Sequence, residues 1–374
     1  MVNICIIIAC AFVVIACGVN ILSKAGDINI NIAGSGNNNN TTEENKNSII
    51  ETNNKVEIYE EPELEKAAKE FNLVAIGEIM MGGEINQNVE YNYMLAFKHI
   101  SEVSATADYT VAHLGTNITD LEELDNTKSK YIVTSKIDNA FGALGIDGIS
   151  VATDHMLDFG EDIFNDTKNI LKEEYDLIGL NNTIIYAEAN GIKVAIIGVN
   201  NEIIGNSSSY TNAGIMVYNM AKLKSMIQEA KQNAQSVIIM THLGFENNHE
   251  ITNVMKWFYR ELIKAGADLV LGSHAIGVFP IEIYNEKPII YSLGYLMHDT
   301  DYEVGKKSGI FNFKFNEVGK LTEIKITPTY INAKKQTVLY ADYNKEEAKE
   351  FLEYIASDLK DYKIQNYELV VNID

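Results

Sequence analysis

Short apolar, β-branched runs recur along this chain, and five of them lead to an acid or a histidine. Leu73–Ile76 leads to Glu78, Tyr109–Val111 to His113, and Ile149–Val151 to Asp154 and His155; Val237–Met240 leads to His242, and Leu269–Leu271 to His274. Runs of this length without polar alternation read as strands buried on both faces. Helix patterns lie between them. Ile251, Val254, Met255, Phe258 and Leu262 share one stripe, as do Met220, Leu223 and Ile227. Asn344 and Glu347 are spaced as a capping box ahead of Ala348, Phe351, Leu352, Ile355 and Leu359. Pro288–Leu293 reads as a strand ending at Gly294, and Ile310–Phe315 with Leu321–Ile326 as an antiparallel pair turning at Gly319. The alternation from Asn72 to about Ile331 predicts an α/β domain with a largely parallel sheet flanked by helices. No internal repeat is visible.

In open α/β sheets ligands collect just beyond the carboxyl ends of the strands. The five segments therefore bring oxygen and nitrogen donors toward one place, and a divalent-metal site is the leading expectation. Glu78 and Asp154 beside buried strands are costly unless paired or metal-bound. His113 has two readings of equal standing, a ligand or a hydrogen-bonded structural imidazole. His155, within Asp154-His155-x-x-Asp158-x-Gly160, either serves the site or caps the helix beginning near Gly160. His99, His249 and His298 fall outside these segments and read as surface or core residues.

The first residues add a location. Val2–Leu22 is almost wholly apolar and about long enough to cross a bilayer as a helix. No Lys or Arg precedes it, so the basic start of a signal peptide is missing. Val14-Ile15-Ala16-Cys17 also resembles a lipobox, which leaves a lipoprotein at Cys17 as the alternative to an uncleaved anchor. All three cysteines (Cys5, Cys10 and Cys17) lie in this segment, so the rest of the chain has no thiolate for a metal or disulfide. The Asn-rich stretch after it has too little apolar surface to form a core, and Glu57–Glu70 reads as a solvated acidic run.

Charge narrows the partners. The formal net charge is -22, and Arg260 is the one arginine in the chain. Nucleic acid is excluded as a partner for want of a basic patch. A phosphate ester lacks an arginine clamp, and an anionic polymer is repelled unless a metal or local lysines offset the field.

Taken in order, GEIMMGG (Gly77–Gly83), ADYTVAHLG (Ala107–Gly115), ATDHMLDFG (Ala152–Gly160), THLGFE (Thr241–Glu246), GADLVLGSHAIGV (Gly266–Val278) and PIIYSLGYLMHD (Pro288–Asp299) resemble the CapA family of poly-γ-glutamate capsule biosynthesis proteins, within the calcineurin-like metallophosphoesterase superfamily. The resemblance implies a metallophosphoesterase-like layered α/β sandwich with mixed sheets, behind an N-terminal membrane anchor. Departures from the family pattern fall on the site. Glu78 stands for an Asp, Gly83 for an Arg, and His113-Leu114-Gly115 for Asn-Leu-Glu. Asp154 stands for the second Asn of Asn-Asn-His, Leu243 for Trp, Ala275-Ile276 for Pro-His, and Tyr295-Leu296 for Asn-Phe.

The expected organisation is an anchor over residues 1–23, an Asn-rich and acidic linker over 24–70, a CapA-like domain over 71–332, and a strand–helix extension of it over 333–374. The expected metal ligands are Glu78, His113, Asp154, His242 and His274, holding one ion of the Mn, Fe or Zn class. Asp154, His155 and Asp158 are the catalytic candidates. The function implied is a membrane-anchored, extracytoplasmic hydrolase or transferase acting on an anionic cell-surface polymer with membrane synthase or export subunits. The alternative is a catalytically degenerate binding or scaffold subunit of the same assembly.

Overall fold

The structure is a computed structural model that describes residues 69–121, 130–201, 207–244 and 250–373. The Val2–Leu22 segment, Cys17, the Asn-rich linker and His249 lie outside the described residues. No helix among the described residues is long and apolar enough to cross a membrane.

Two mixed sheets, together with a small parallel ladder of Asn117–Ile118 and Ile132–Val133, form the described fold, rather than the one largely parallel sheet that the strand–helix alternation predicts. The larger has ten strands among the described residues. Its parallel half runs Glu70–Ile79, Tyr109–Leu114, Gly148–Ser150 and Asp176–Ile178. Beyond Glu70–Ile79 it turns antiparallel through Lys307–Asn316, Leu321–Ile331, Glu368–Asn372 and Lys363–Gln365. The second sheet has six strands. Ile192–Asn200, Ser236–His242, Leu269–Ser273 and Lys287–Ile290 are parallel, with Ile185–Ala189 and Glu282–Tyr284 antiparallel at the edges. The hydrophobic pattern marks where strands lie. The expected antiparallel pair of Ile310–Phe315 with Leu321–Ile326 is present. The pattern carries little about which other neighbour each strand takes, and the pair's antiparallel docking on Glu70–Ile79 enters through that gap.

Period-two alternation along Glu70–Ile79 explains the layering. Leu73 and Ala75 point into a core shared with Val194, Ile196, Ile238, Met240, Leu269 and Leu271 of the second sheet. Val74 and Ile76 point the other way, onto a core with Phe97, Ile100, Phe141, Leu144 and Phe164 from helical segments. The outer face of the second sheet packs against the helices Met220–Asn233 and Asn253–Ala265 through Leu223, Ile227, Phe258 and Leu262. The order is helices, sheet, sheet, helices.

Local signals set several element ends. Asn344 accepts from the Glu347 amide (3.3 Å) and donates to its carboxylate (2.7 Å), so the capping box starts the helix Lys345–Ile355. Gly266, at φ 119°, closes Asn253–Ala265 in the left-handed region. The helix stripe differs at one position. Val254 is 58% exposed, and the buried face runs Met255, Phe258, Tyr259, Leu262 and Ile263. A stripe drawn through Met255, Phe258 and Leu262 recruits Tyr259 and Ile263 at its edge, which turns Val254 outward. The 333–374 segment supplies Thr337–Leu339 and Glu368–Asn372, both paired with Leu321–Ile331.

Gly272 on the Leu269–Ser273 strand shows how tightly the strands and the Tyr259 helix close. A Cβ there would collide with the Tyr259 hydroxyl and the Tyr291 carbonyl. Gly272→Ala should cost about 1–3 kcal/mol of stability in denaturant unfolding. Gly142→Ala, in a helix with nothing within 4 Å of its Cβ, should be neutral or stabilising by up to about 1 kcal/mol. Equal midpoints for the two variants would contradict the close packing at Gly272.

Candidate metal centre

The carboxyl ends of strands from both sheets meet at one cluster of charge. Glu78 and His113 are penultimate residues of their strands in the first sheet, while His242 ends its strand in the second. They sit inside the strand ends rather than past them. Asp154 and His155 lie on a short 3-10 turn, Asp154–Leu157, following Gly148–Ser150. His274 follows Leu269–Ser273 directly, at φ 80°. A non-glycine residue held there carries strain of the kind that gathers at functional sites. Pairing of the Glu70–Ile79 strand with its parallel neighbours slips near Glu78, an irregularity of the type that re-aims a side chain.

Asp154 is the hub. Its Oδ1 lies 2.9 Å from His242 Nε2, and its Oδ2 lies 3.6 Å from His274 Nδ1 and 3.7 Å from His155 Nε2. One ligand atom from each of Asp154, His242 and His274 falls within 4.8 Å of the other two, the geometry of a group that could hold a metal ion. Ser273 Oγ meets His242 Nδ1 at 2.7 Å and fixes the ring, the usual outer support of a ligating imidazole. The Tyr210 hydroxyl donates to the Asp154 carbonyl and holds the turn.

The other candidates divide. Glu78 is buried at the edge of the trio, with Oε2 at 3.9 Å from His242 Nδ1 and accepting from the His274 amide at 3.3 Å. Its Oε1 is buried without a hydrogen-bond partner. The His113 ring centre lies 6.5 Å from that of His242, outside the trio, and neither of its buried nitrogens has a hydrogen-bond partner. Asp158 accepts from or donates to nothing in the trio; its Oδ2 holds His155 Nδ1 at 2.7 Å. It therefore orients His155.

Electrostatics follows from burial. Burial would push Asp154 up, but His242, His274 and His155 hold its carboxyl well below the usual range. Burial raises Glu78 against the pull of His242. Burial, with the His242 charge, pushes His113 and His274 down to about 3, leaving both neutral with lone pairs available. His242 and His155 go the other way. Burial opposes their charge, but Glu78 and Asp154 raise His242, and the Asp158 bond with the Asp154 charge raises His155 to about 9.

Residues 72–300 match the model of the family described as bacterial capsule synthesis protein PGA_cap. The chain belongs to that family. PGA_cap relatives include the capsule biosynthesis protein CapA of Bacillus anthracis, 26% identical over 66% of this chain and 64% of that protein. The PGA biosynthesis protein CapA of Bacillus subtilis is 23% identical over 80% of this chain and 81% of that protein. The match thus spans just under two thirds of the anthracis protein's length. Similar solved structures are distant. A Thermus thermophilus sulfate thiohydrolase SoxB is 10% identical with a TM-score of 0.40, over 75% of this chain and 59% of SoxB. The protein TT1561 of Thermus thermophilus is 12% identical with a TM-score of 0.36, over 66% of this chain and 98% of that one.

Around the trio the fold adds residues with no signal in the apolar pattern. His298, read from sequence as surface or core, stacks on Tyr295 (4.4 Å, 17°) and lies 6.4 Å from Tyr131. The Tyr131 ring packs over His155 at 4.3 Å. The Tyr295 hydroxyl donates to the His274 carbonyl at 3.3 Å. Ser273 was visible in principle, since Gly272-Ser273-His274 ends a strand that pairs with the one ending in His242.

Removing His242 takes from the buried Asp154 carboxylate the one ring within hydrogen-bond reach, at 2.9 Å, among those it meets. His242→Ala should lower the stability of chelator-treated protein by about 3–5 kcal/mol. His99→Ala, at an exposed position, should stay within about 0.5 kcal/mol. Thermal melting of the two variants beside the parent checks this; a His242→Ala loss as small as that of His99→Ala would contradict the buried pair.

Proposed function

We propose that this protein serves in the biosynthesis of a capsule-type, poly-γ-glutamate-like anionic polymer, through a divalent-metal centre on a metallophosphoesterase-like sandwich. The family and the names of its two relatives support the process. The Asp154–His242–His274 cluster is the observation that carries the metal.

The residues present fit such an ion. The donors are one carboxylate and two imidazoles, a set suited to Mn, Fe or Zn. A second carboxylate, Glu78, brings a buried oxygen that has no hydrogen-bond partner. Asp154, His242 and His274 would hold the ion, with Glu78 beside them and His113 as a further donor. A bound ion supplies Lewis acidity and a water acidic enough to deprotonate near neutral pH. His155, kept protonated by Asp158 and Asp154, is placed to donate a proton to a leaving group. The chemistry is hydrolysis or transfer at a γ-amide or ester link. Arg260, held by Glu282 through contacts of 2.5 and 2.9 Å, is already committed, so the polymer's charge must be met by the ion and by lysines.

One observation favours the scaffold alternative. Ile276, where the family pattern has a second His, is buried in the apolar core beside the first sheet. An alkyl side chain offers no lone pair, so a two-metal centre would be under-ligated.

Full-length protein purified without chelator should carry about one divalent ion per chain by elemental analysis. Adding Mn²⁺ or Zn²⁺ to stripped protein at 100 times the dissociation constant should stabilise it by about 2.7 kcal/mol, read as a higher melting temperature. No ion and no shift would remove the enzyme and leave the scaffold.

The anchor and an extracytoplasmic domain remain part of this reading, on the strength of Val2–Leu22. Protease added to whole protoplasts should digest the domain while the anchor stays with the membrane. Protection of the domain would overturn that location, and loss of anchoring in Cys17→Ala would favour the lipoprotein.

A further inference from the structure

A Cβ built on Gly115 would lie 2.7 Å from Glu78 Oε1 and 2.6 Å from Met80 Cγ. Real Cβ atoms essentially never come so near, so the volume of a side chain at 115 is already occupied. Gly115 takes no positive φ that would by itself call for glycine. Its amide donates to the Ile79 carbonyl at 3.0 Å, which presses the chain against the Glu70–Ile79 strand just where Glu78 leaves it. The Glu78 carboxylate is 1% exposed, and the space over Gly115 is the room its Oε1 fills.

We infer that Gly115 is a positioning residue whose missing side chain admits the long Glu78 carboxylate to the Asp154–His242–His274 cluster, so that positions 78 and 115 act as one coupled unit. This rests on the metal reading above and deepens it. Glu is one methylene longer than Asp, and that extra length needs a vacancy to enter. Oε2 uses it to reach the His274 amide and the neighbourhood of His242 Nδ1, while Oε1 is left buried and unsatisfied, available to an ion or its water. A methyl group at 115 must displace either this carboxylate or the Met80 side chain. Met80 is flexible, with three rotatable bonds, whereas Glu78 is tied at Oε2. The two contacts are therefore separable by substitution.

The test compares the full chain with Gly115→Ala, Glu78→Asp, Glu78→Asp/Gly115→Ala and Met80→Ala/Gly115→Ala. Each is stripped with chelator, then titrated with Mn²⁺ and with Zn²⁺, following melting temperature and bound ion. Gly115→Ala should bind roughly 10- to 100-fold more weakly, the usual effect of disturbing a ligand's support. Glu78→Asp/Gly115→Ala should return to the affinity of Glu78→Asp alone, because the shorter carboxylate withdraws from the new methyl. Met80→Ala/Gly115→Ala should stay weak. Wild-type affinity in Gly115→Ala, or rescue by the Met80 change in place of the Glu78 change, would overturn the coupling. If the parent chain binds neither ion, the metal reading fails by itself. The coupling is then read from melting of the ion-free proteins, where Glu78→Asp should recover most of the Gly115→Ala loss, and purely additive losses would overturn it.

Discussion

The constraint on which the rest depends is the burial of Asp154 and Glu78 among imidazoles where two sheets meet. Carboxylates removed from water cost several kcal/mol each unless matched by positive charge or hydrogen bonds. Asp154 meets this through His242, His274 and His155, and each of those rings is held in turn by a neighbour: Ser273, the strained turn at residue 274, and Asp158. Tyr210 and the irregular pairing around Glu78 belong to the same support. A cluster of this kind is stable only inside a scaffold stiff enough to refuse water, and the three apolar cores supply that stiffness.

Much of this was legible from residues alone. Buried strands announce themselves as short apolar β-branched runs, and the strand-end rule then nominates Glu78, Asp154, His242 and His274 without knowledge of the fold. The capping pair Asn344 and Glu347 is local, so spacing suffices to find it. What stayed hidden is non-local. The hairpin of Ile310–Phe315 with Leu321–Ile326 was legible at Gly319, but its antiparallel docking on Glu70–Ile79 and the pairing of the C-terminal strands depend on partner choice, which hydrophobic periodicity does not encode. Val254 turned outward because a stripe of three or four positions leaves its angle loose by one residue. Tyr131 reaches His155 and the Tyr295–His298 pair only through the tertiary fold, since it lies more than 160 residues before that pair in the chain.

Residue exchanges relative to the PGA_cap pattern also make more sense as a set than one at a time. Glu78 and Gly115 look like a lengthened and a lost carboxylate at separate motifs. In space they concern one volume. Ile276 is different: it joins an apolar core and faces no partner exchange of this kind.

The trio also has a history in time. His242 and Asp154 are separated by 88 residues, and Glu78 and the His274 amide by 196. Contacts so distant along the chain form only after long loops have closed, late in folding. The donors of the trio come from three separate stretches of the chain, so an unfolded chain does not present them together. Metal capture would then be a mark of finished folding, and the ion, once in place, would act as a clasp between the two sheets.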